Sequence, residues 1–542
     1  MTETSGFKKW LPLAVLALAL FIVVLDSTIL SVSIKAIIGD LHTNLKAVQW
    51  VITSYTLVLA AFTITGGRLG DIFGRKRMFM VGAVLFGVGS LLASRAHSQP
   101  FLLFSVSAIE GLGAAMMLPS TAALILAQYR GKDRALAFGV YGAIAGAAAT
   151  IGPLLGGFLT TNYSWRWNYL INPVVVIVLL AGSVFLKESQ ERIARRPDIL
   201  SIIFSAIGMG GVVYGIVESS TYGWLKSKMN YEIGGHHYHL AGLSITLYAI
   251  LAGLLFVVCF LWRQYRLEIR KKLPLVSIGL FKNGQFMSGT VVLLIAIAAQ
   301  FGLIFVLPVF FQGLLGKDAF HTGLAVLPFS VSIGLTAPLS GVLVGKFDVS
   351  PRLLIQIGLA LSTCGALLIH QELRVTSTEW SLAPGMAFFG LGFGFTISQL
   401  ANLTLSAVSV EQAGEASGVN NTFRQLGSSL GQALIGAILI ASLTTQLNTD
   451  VAKSAVLPNA AKPAITKSIV TATQSLGTQQ NGADAPLAVT QEIMRIKNDA
   501  IVTGAKAGTL TTASFVFLAL LFSLRLPKRV EHGQDVDAPA AR

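Results

Sequence analysis

Charge is what this sequence has least of. Of its 542 residues only 12% are Asp, Glu, Lys or Arg, about half the roughly 25% that soluble proteins use to face water. That shortage excludes a large soluble enzyme and a disordered chain. Cysteine is nearly absent as well. Cys259 and Cys364 each lie inside an apolar run, which excludes a secreted disulfide scaffold and points to no metal site. There is no P-loop, so ATP is not the expected energy source. What fills the chain instead is apolar: 53% hydrophobic residues with 54 Gly, at a mean hydropathy of +0.69. The composition is that of an all-α polytopic membrane protein.

A net charge of +15 invites a nucleic-acid reading. A nucleic-acid binder gathers its basic residues on one soluble face, whereas here they sit in short loops between apolar stretches. No nucleic-acid partner is expected. A helix needs about 20 apolar residues to cross a bilayer. Fourteen such spans begin near Leu11, Val48, Met78, Phe101, Ala137, Tyr169, Leu200, Leu240, Phe286, Thr322, Leu353, Ser381, Ala416 and Ala505. The first follows Lys8 and Lys9, but its apolar stretch is too long for a signal peptide and has no small-residue cleavage site. Lys and Arg concentrate in the short loops of one side, which places both termini in the cytoplasm by the positive-inside rule.

Three segments interrupt the short loops. Residues 187–198 form a charged linker after the sixth span. Residues 263–282 form a second basic connection, whose Arg270, Lys271 and Lys272 suit anionic lipid headgroups. Residues 448–503 form a long outer loop, with an amphipathic helix expected over 487–501 that shows Ile493, Met494 and Ile496 on one face. His236, His237 and His239 read as solvated loop residues rather than a metal site. GSSLG at 427–431 mimics a hydrolase elbow, but it lies in a span and lacks the strand-to-helix turn that motif needs.

The chain also repeats itself. GGRLGDIFGRKR at 66–77 and GVLVGKFDVSPR at 341–352 align Gly67 with Gly341, Leu69 with Leu343 and Phe73 with Phe347. Both follow the second helix of a six-helix half. The expected organisation is a six-helix bundle over 1–186, a linker with two inserted helices over 187–285, a second bundle over 286–526, and a cytoplasmic tail over 527–542. Parallel repeats of this kind are typical of transporters, with the site near mid-membrane between the halves.

On these residues the sequence resembles the major facilitator superfamily, and within it the fourteen-span drug:proton antiporters. GGRLGDIFGRKR is close to the superfamily's signature loop. GAIAGAAATIGPLLGG at 142–157 resembles the antiporter signature of the fifth helix, with Ala148 where a glycine is usual. LDSTILSVSI (25–34), QWVITSYTL (49–57), SWRWNYLINP (164–173) and GEASGVNNTFRQLGSSLG (414–431) look typical of that branch. Two departures stand out. The fourth-helix motif carries Ser107 and Glu110 where an Arg and a Gln are usual, and the first-helix motif ends in Ser33, Ile34 and Lys35. The resemblance implies a major facilitator fold and proton-coupled export in the cell (inner) membrane, with no cofactor and no enzymatic activity. It also implies a latch at Asp71 and Arg75, and a sealing motif at Gly152, Pro153, Gly156 and Gly157.

Physical chemistry supplies the candidate sites. Asp26 lies about 24 Å along its helix at 1.5 Å per residue, and Glu110 about mid-span. A charge there costs at least ~2.5 kcal/mol, so such residues mark pathways or pairs. Either they alternate between a proton and a cationic substrate, or they are structural, hydrogen-bonded carboxyls. Asp71 and Arg75, four apart, can pair with each other. Gly142, Gly146, Gly152 and Gly156 let helices approach closely. Tyr55, Gln300, Phe301, Phe305, Phe311, Gln312, Phe389, Phe393 and Gln399, with Phe388, are candidate cavity walls, since apolar pockets with few polar groups suit drug-sized ligands. The expected function is proton-coupled multidrug efflux of amphipathic, cationic or neutral compounds by a monomer. The alternatives are export of an endogenous amphiphile, such as a lipid or siderophore, and a non-transporting receptor or scaffold.

Overall fold

A computed structural model describes residues 6–43, 45–188, 198–227, 231–233, 236–238, 242–270, 272, 274–317, 319–409, 412–458, 462 and 487–527. The linker at 189–197, Lys271, His239, most of the loop at 459–486 and the tail from 528 lie outside the described residues. The described residues form fourteen long helices. The first seven are α1 (Gly6–Asp40), α2 (Leu45–Phe73), α3 (Arg75–Ser94), α4 (Gln99–Gln128), α5 (Gly131–Asn162), α6 (Arg166–Gly182) and α7 (Ile199–Tyr222). They are followed by α8 (Ile245–Ile269), α9 (Gly284–Gly313), α10 (Leu327–Phe347), α11 (Pro351–Glu372), α12 (Glu379–Ser406), α13 (Ala413–Lys453) and α14 (Leu487–Ser523). Thirteen are long and apolar enough to cross a membrane. The other, α5, has 32 residues, ample for the roughly 20 a crossing needs.

Local chemistry sets the helix ends. Asp198, Ser244 and Asn283 each accept a backbone N–H of the first turn, at Ser201, Thr246 and Phe286 respectively, the ordinary N-cap role of short polar side chains. The aligned residues Phe73 and Phe347 each end their helix. The next residues, Gly74 at φ 105° and Asp348 at φ 52°, both turn into the left-handed region. At Gly74 a Cβ would also meet the Glu188 carboxylate at 2.8 Å, which is occupied in accepting the N–H groups of Lys76 and Arg77 at the start of α3.

Several sequence expectations need correction. The tenth span begins at Leu327, not near Thr322. Thr322 belongs to a separate short helix, Ala319–Ala325, and Pro328 takes the first turn of α10, where its missing N–H costs nothing. The eighth span begins at Ile245 rather than Leu240, because a small antiparallel hairpin, β1 (Tyr231–Ile233) with β2 (His236–Tyr238), precedes it. Both ends of the expected outer loop are helical. α13 continues to Lys453 and α14 begins at Leu487, since Leu443, Leu447 and Val451 share one buried cluster with Ile496, Ala500 and Ile501. Ile496 is therefore buried while Met494 is 47% exposed; two residues apart on a helix, they point to opposite sides.

Two buried apolar clusters organise the packing. One gathers α1–α6 with the ends of α8, α9, α12 and α13, and the other gathers α9–α14. The inserted pair α7–α8 packs on itself and, through α7, on α2 and α13. Leu251, Leu254, Leu255 and Val258 of α8 remain exposed, as expected of a face turned to lipid. The halves meet along α2 with α13, and along α5 with α10 and α12.

Candidate functional site

Four helices of the first half converge on one amide. Asn172 Nδ2 of α6 donates to Asp26 Oδ1 of α1 at 2.8 Å, to Ser90 Oγ of α3 at 2.6 Å and to Glu110 Oε1 of α4 at 3.2 Å. Ser90 Oγ donates to the same Glu110 oxygen. The amide has two hydrogens for three acceptors, so the bridge is shared. Tyr55 of α2 and Tyr169 of α6 complete the wall; among the described residues their buried hydroxyls, Glu110 Oε2 and Asn172 Oδ1 have no hydrogen-bond partner. Asp26 is 6% exposed and Glu110 fully enclosed. Among the described residues no Lys or Arg pairs with either carboxylate.

Backbone geometry brings Glu110 there. Residues Phe104–Gly111 form a π-helical stretch of α4, whose i→i+5 bonding widens one turn and re-aims the side chains beyond it; such turns gather at functional sites. Gly89 lets α3 approach, since a Cβ there would meet the Glu110 backbone nitrogen at 2.5 Å. Ser107, which stands where the family carries Arg, pairs instead with Ser54 of α2 at 2.5 Å. Ser33, the other departure, bonds Thr160 of α5 and accepts from Asn168 of α6.

A second polar cluster closes the α2–α3 end of the molecule. Arg75 Nε and Nη2 reach Asp71 Oδ1 at 3.2 and 3.1 Å. Arg68 lies 3.7 Å from Asp71 Oδ2 and 3.4 Å from Glu415 Oε2 of α13, and Ser277 Oγ donates to the other oxygen of Glu415. All four ionic side chains are buried. Two cations face two anions, with the Arg68–Glu415 contact crossing from one half to the other. Glycine permits it: a Cβ on Gly67 would strike the Gly414 carbonyl, and one on Gly414 would strike Asp71.

The glycines of α5 serve close packing. A Cβ on Gly152 would strike the Thr28 side chain of α1, and one on Gly142 would lie 3.4 Å from Ile397 of α12. Gly156 and Gly157 are buried, and Pro153 lies between them and Gly152 within the helix. The expected cavity residues divide. Tyr55 belongs to the acid cluster; Phe301, Phe305 and Gln312 are half-buried, with Phe305 lying over Gly436 of α13, and Gln300 is 6% exposed. Phe311, Phe389 and Phe393 are instead core residues. Phe389 stacks on Phe393 and tilts against Phe329, and Phe311 meets Phe310 edge-on; Phe388 is exposed. Gln399 is sealed in a polar ladder with Ser340, Ser398 and Asn402. An apolar groove of about 700 Å³ does open, but between α1 and α5, lined by Trp10, Leu13, Phe21 and Val140.

Sequence reasoning singled out Asp26, Glu110, Asp71 and Arg75, and the structure joins them into two separate clusters. It missed Asn172, Ser90, Arg68 and Glu415. The signal was available for three of them: an Asn, an Arg and a Glu at buried positions of apolar helices. Ser90, among many small residues, carried none.

A family model described as Major Facilitator Superfamily matches residues 16–432. The chain is 30% identical over 453 residues to the probable actinorhodin transporter of Streptomyces coelicolor, covering 82% of this chain and 75% of that protein. It is likewise 30% identical over 440 residues to the multidrug resistance protein Stp of Mycobacterium tuberculosis, covering 81% and 77%. The solved structure of the proton:xylose symporter XylE superposes with a TM-score of 0.57 at 12% identity, covering 98% of each chain, a likeness of fold alone. With its paired bundles, buried ionic clusters and glycine-mediated helix crossings, the chain belongs to the Major Facilitator Superfamily and is an integral membrane transporter, not an enzyme.

Proposed function

We propose that the chain is a proton-coupled multidrug efflux antiporter. It moves amphipathic, cationic or neutral compounds outward through the cell membrane by alternating access between its two six-helix halves. The observation that carries this reading is the buried pair Asp26 and Glu110, bridged by Asn172 with no cation beside it among the described residues. Each ionised carboxylate at that depth costs about 2.5–3.5 kcal/mol on the insertion scale, and two side by side repel. Such a cluster is built to hold at least one proton and to give it up when a positive or polarising cargo arrives. The names of the relatives, a multidrug resistance protein and a probable actinorhodin transporter, support drug efflux.

In this reading both termini are cytoplasmic and the Arg68–Asp71–Arg75–Glu415 cluster is a latch on the cytoplasmic side, closed here. Gly152, Pro153, Gly156 and Gly157 keep the α1–α5 seam tight while the halves rock. Tyr55, Gln300, Phe301, Phe305 and Gln312 line the path. The working unit is a monomer whose basic loops rest on lipid headgroups. Purified protein in sealed vesicles, given a panel of lipophilic cationic and neutral dyes with and without an imposed pH gradient, tests it. Dye movement should follow the gradient. Movement that ignores the gradient contradicts proton coupling, and no movement of any dye contradicts efflux.

A further inference from the structure

The interior holds a charge that the acid pair does not explain. Arg424 sits eleven residues into α13, about 16 Å along the helix axis at 1.5 Å per residue, and is only partly covered. Among the described residues no carboxylate, hydroxyl or carbonyl accepts a hydrogen bond from it. Among the described residues the buried arginines are answered: Arg68 by Glu415 and Asp71, and Arg75 by Asp71. A guanidinium stays charged under all ordinary conditions, and an ionisable group at membrane depth marks a pathway or a partner.

Its direction follows from the helix. Gly414 and Gly418 turn to α2, and Gly427 and Gly431 turn to α9. Arg424 lies on the arc between, which faces the opposite half. There Tyr141 of α5 is near enough to interact with it electrostatically, and no partner for the phenol hydroxyl is found among the described residues. One donor fork from the second half and one hydroxyl from the first therefore share the same space. Asp26 and Glu110 are engaged with Asn172 and Ser90 instead.

We propose that Arg424, with Tyr141, is an anion subsite of the transport path, and that its ligand is an amphiphile bearing a carboxylate on an apolar aromatic body. This rests on the efflux reading and widens its cargo beyond cationic and neutral compounds. The planar guanidinium matches a carboxylate through two parallel hydrogen bonds, the Tyr141 hydroxyl adds a third donor, and half-buried Phe423 precedes Arg424 on α13.

The test compares two probes of one shape, 1-pyrenebutyrate and 1-pyrenebutyramide, binding to the purified full chain in detergent at neutral pH without any gradient. Wild type should prefer the carboxylate by about 10- to 100-fold, the range for a hydrogen bond to a charged group. In Arg424→Gln the ratio should fall to near one. In Arg424→Lys, which keeps the charge but loses the fork, it should lie between, and Tyr141→Phe should lower it a few-fold. Arg424→Lys carries the comparison if Arg424→Gln does not fold, judged by gel filtration and thermal unfolding. A wild-type ratio near one, or a ratio unchanged in either Arg424 variant, overturns the subsite. A wild type that moves cationic dyes in vesicles but shows no carboxylate preference overturns the subsite and leaves the efflux reading standing. A wild type that moves no dye overturns that reading as well.

Discussion

Asn172 holds two carboxylates from two helices with one amide, and its replacement separates packing from coupling. In Asn172→Ala both acids lose their shared donor, and an unsatisfied buried group costs about 1–3 kcal/mol. The neutral, protonated form of each acid suffers least, since it needs no donor to offset a charge. Asn172→Ala should therefore keep its protons more firmly. Gradient-driven dye movement should drop at least ten-fold, while binding of a neutral dye in detergent changes little; equal loss of both would reduce Asn172 to a packing residue. Nothing in the spacing of Asp26, Ser90, Glu110 and Asn172 along the chain predicts that they meet. The place of each acid along its helix was legible because helix rise converts residue number into distance. Their common partner was not, because it depends on how α1, α3, α4 and α6 rotate against one another.

Elements were easier to read than their ends. Span length is fixed by bilayer thickness, so apolar runs located all fourteen helices. The π turn at Phe104–Gly111 escaped notice because FSVSAIEG has no composition that distinguishes it from α-helix. The extensions of α13 and α14 were missed because their apolar faces bury each other rather than lipid. The inserted pair is tied by a different device. Arg263 of α8 grips Asp198 through bonds of 2.6 and 2.7 Å and, by that hydrogen bonding first, draws its carboxyl from 3.8 down to about 2. A depressed carboxyl contributes stability above its unfolded value and loses it as pH falls, so the tie is complete above about 4 and gone near 2. Asp198→Asn keeps a good helix cap and removes the charge together with the Oδ1 acceptor of Arg263 Nη2. It should cost on the order of 2 kcal/mol at pH 7, read as a lower unfolding temperature, with the gap to wild type closing between pH 4 and 2. A gap that stays constant over that interval would assign the effect to something other than this pair.

At the scale of the molecule, the two halves meet at one end through charges that cross between them. A buried ion pair is a poor source of net stability and a good switch, because its strength depends on exact apposition. Glu415→Gln leaves Arg68 with Asp71 alone, and the closed end should open more often. In a background lacking Cys259 and Cys364, a cysteine at buried Ser417 should react with a polar thiol reagent at least ten-fold faster once Glu415 is replaced. Unchanged reactivity would mean that the glycine contacts of α2 and α13, not the charges, hold this end shut. The repeat between 66–77 and 341–352 foretold matched helix ends at Gly74 and Asp348. It could not foretell that the partner of the first copy is α13, since that contact joins residues more than 340 positions apart.

The claim on which the account turns is that Asp26 and Glu110 exchange a proton for cargo. Purified protein in weakly buffered detergent, titrated with a lipophilic cation while the bulk pH is followed, tests it without vesicles or gradients. Wild type should release protons in proportion to bound dye, and Asp26→Asn and Glu110→Gln should each cut that release sharply, the double variant abolishing it. Full proton release from the double variant, with dye still bound, would contradict the account.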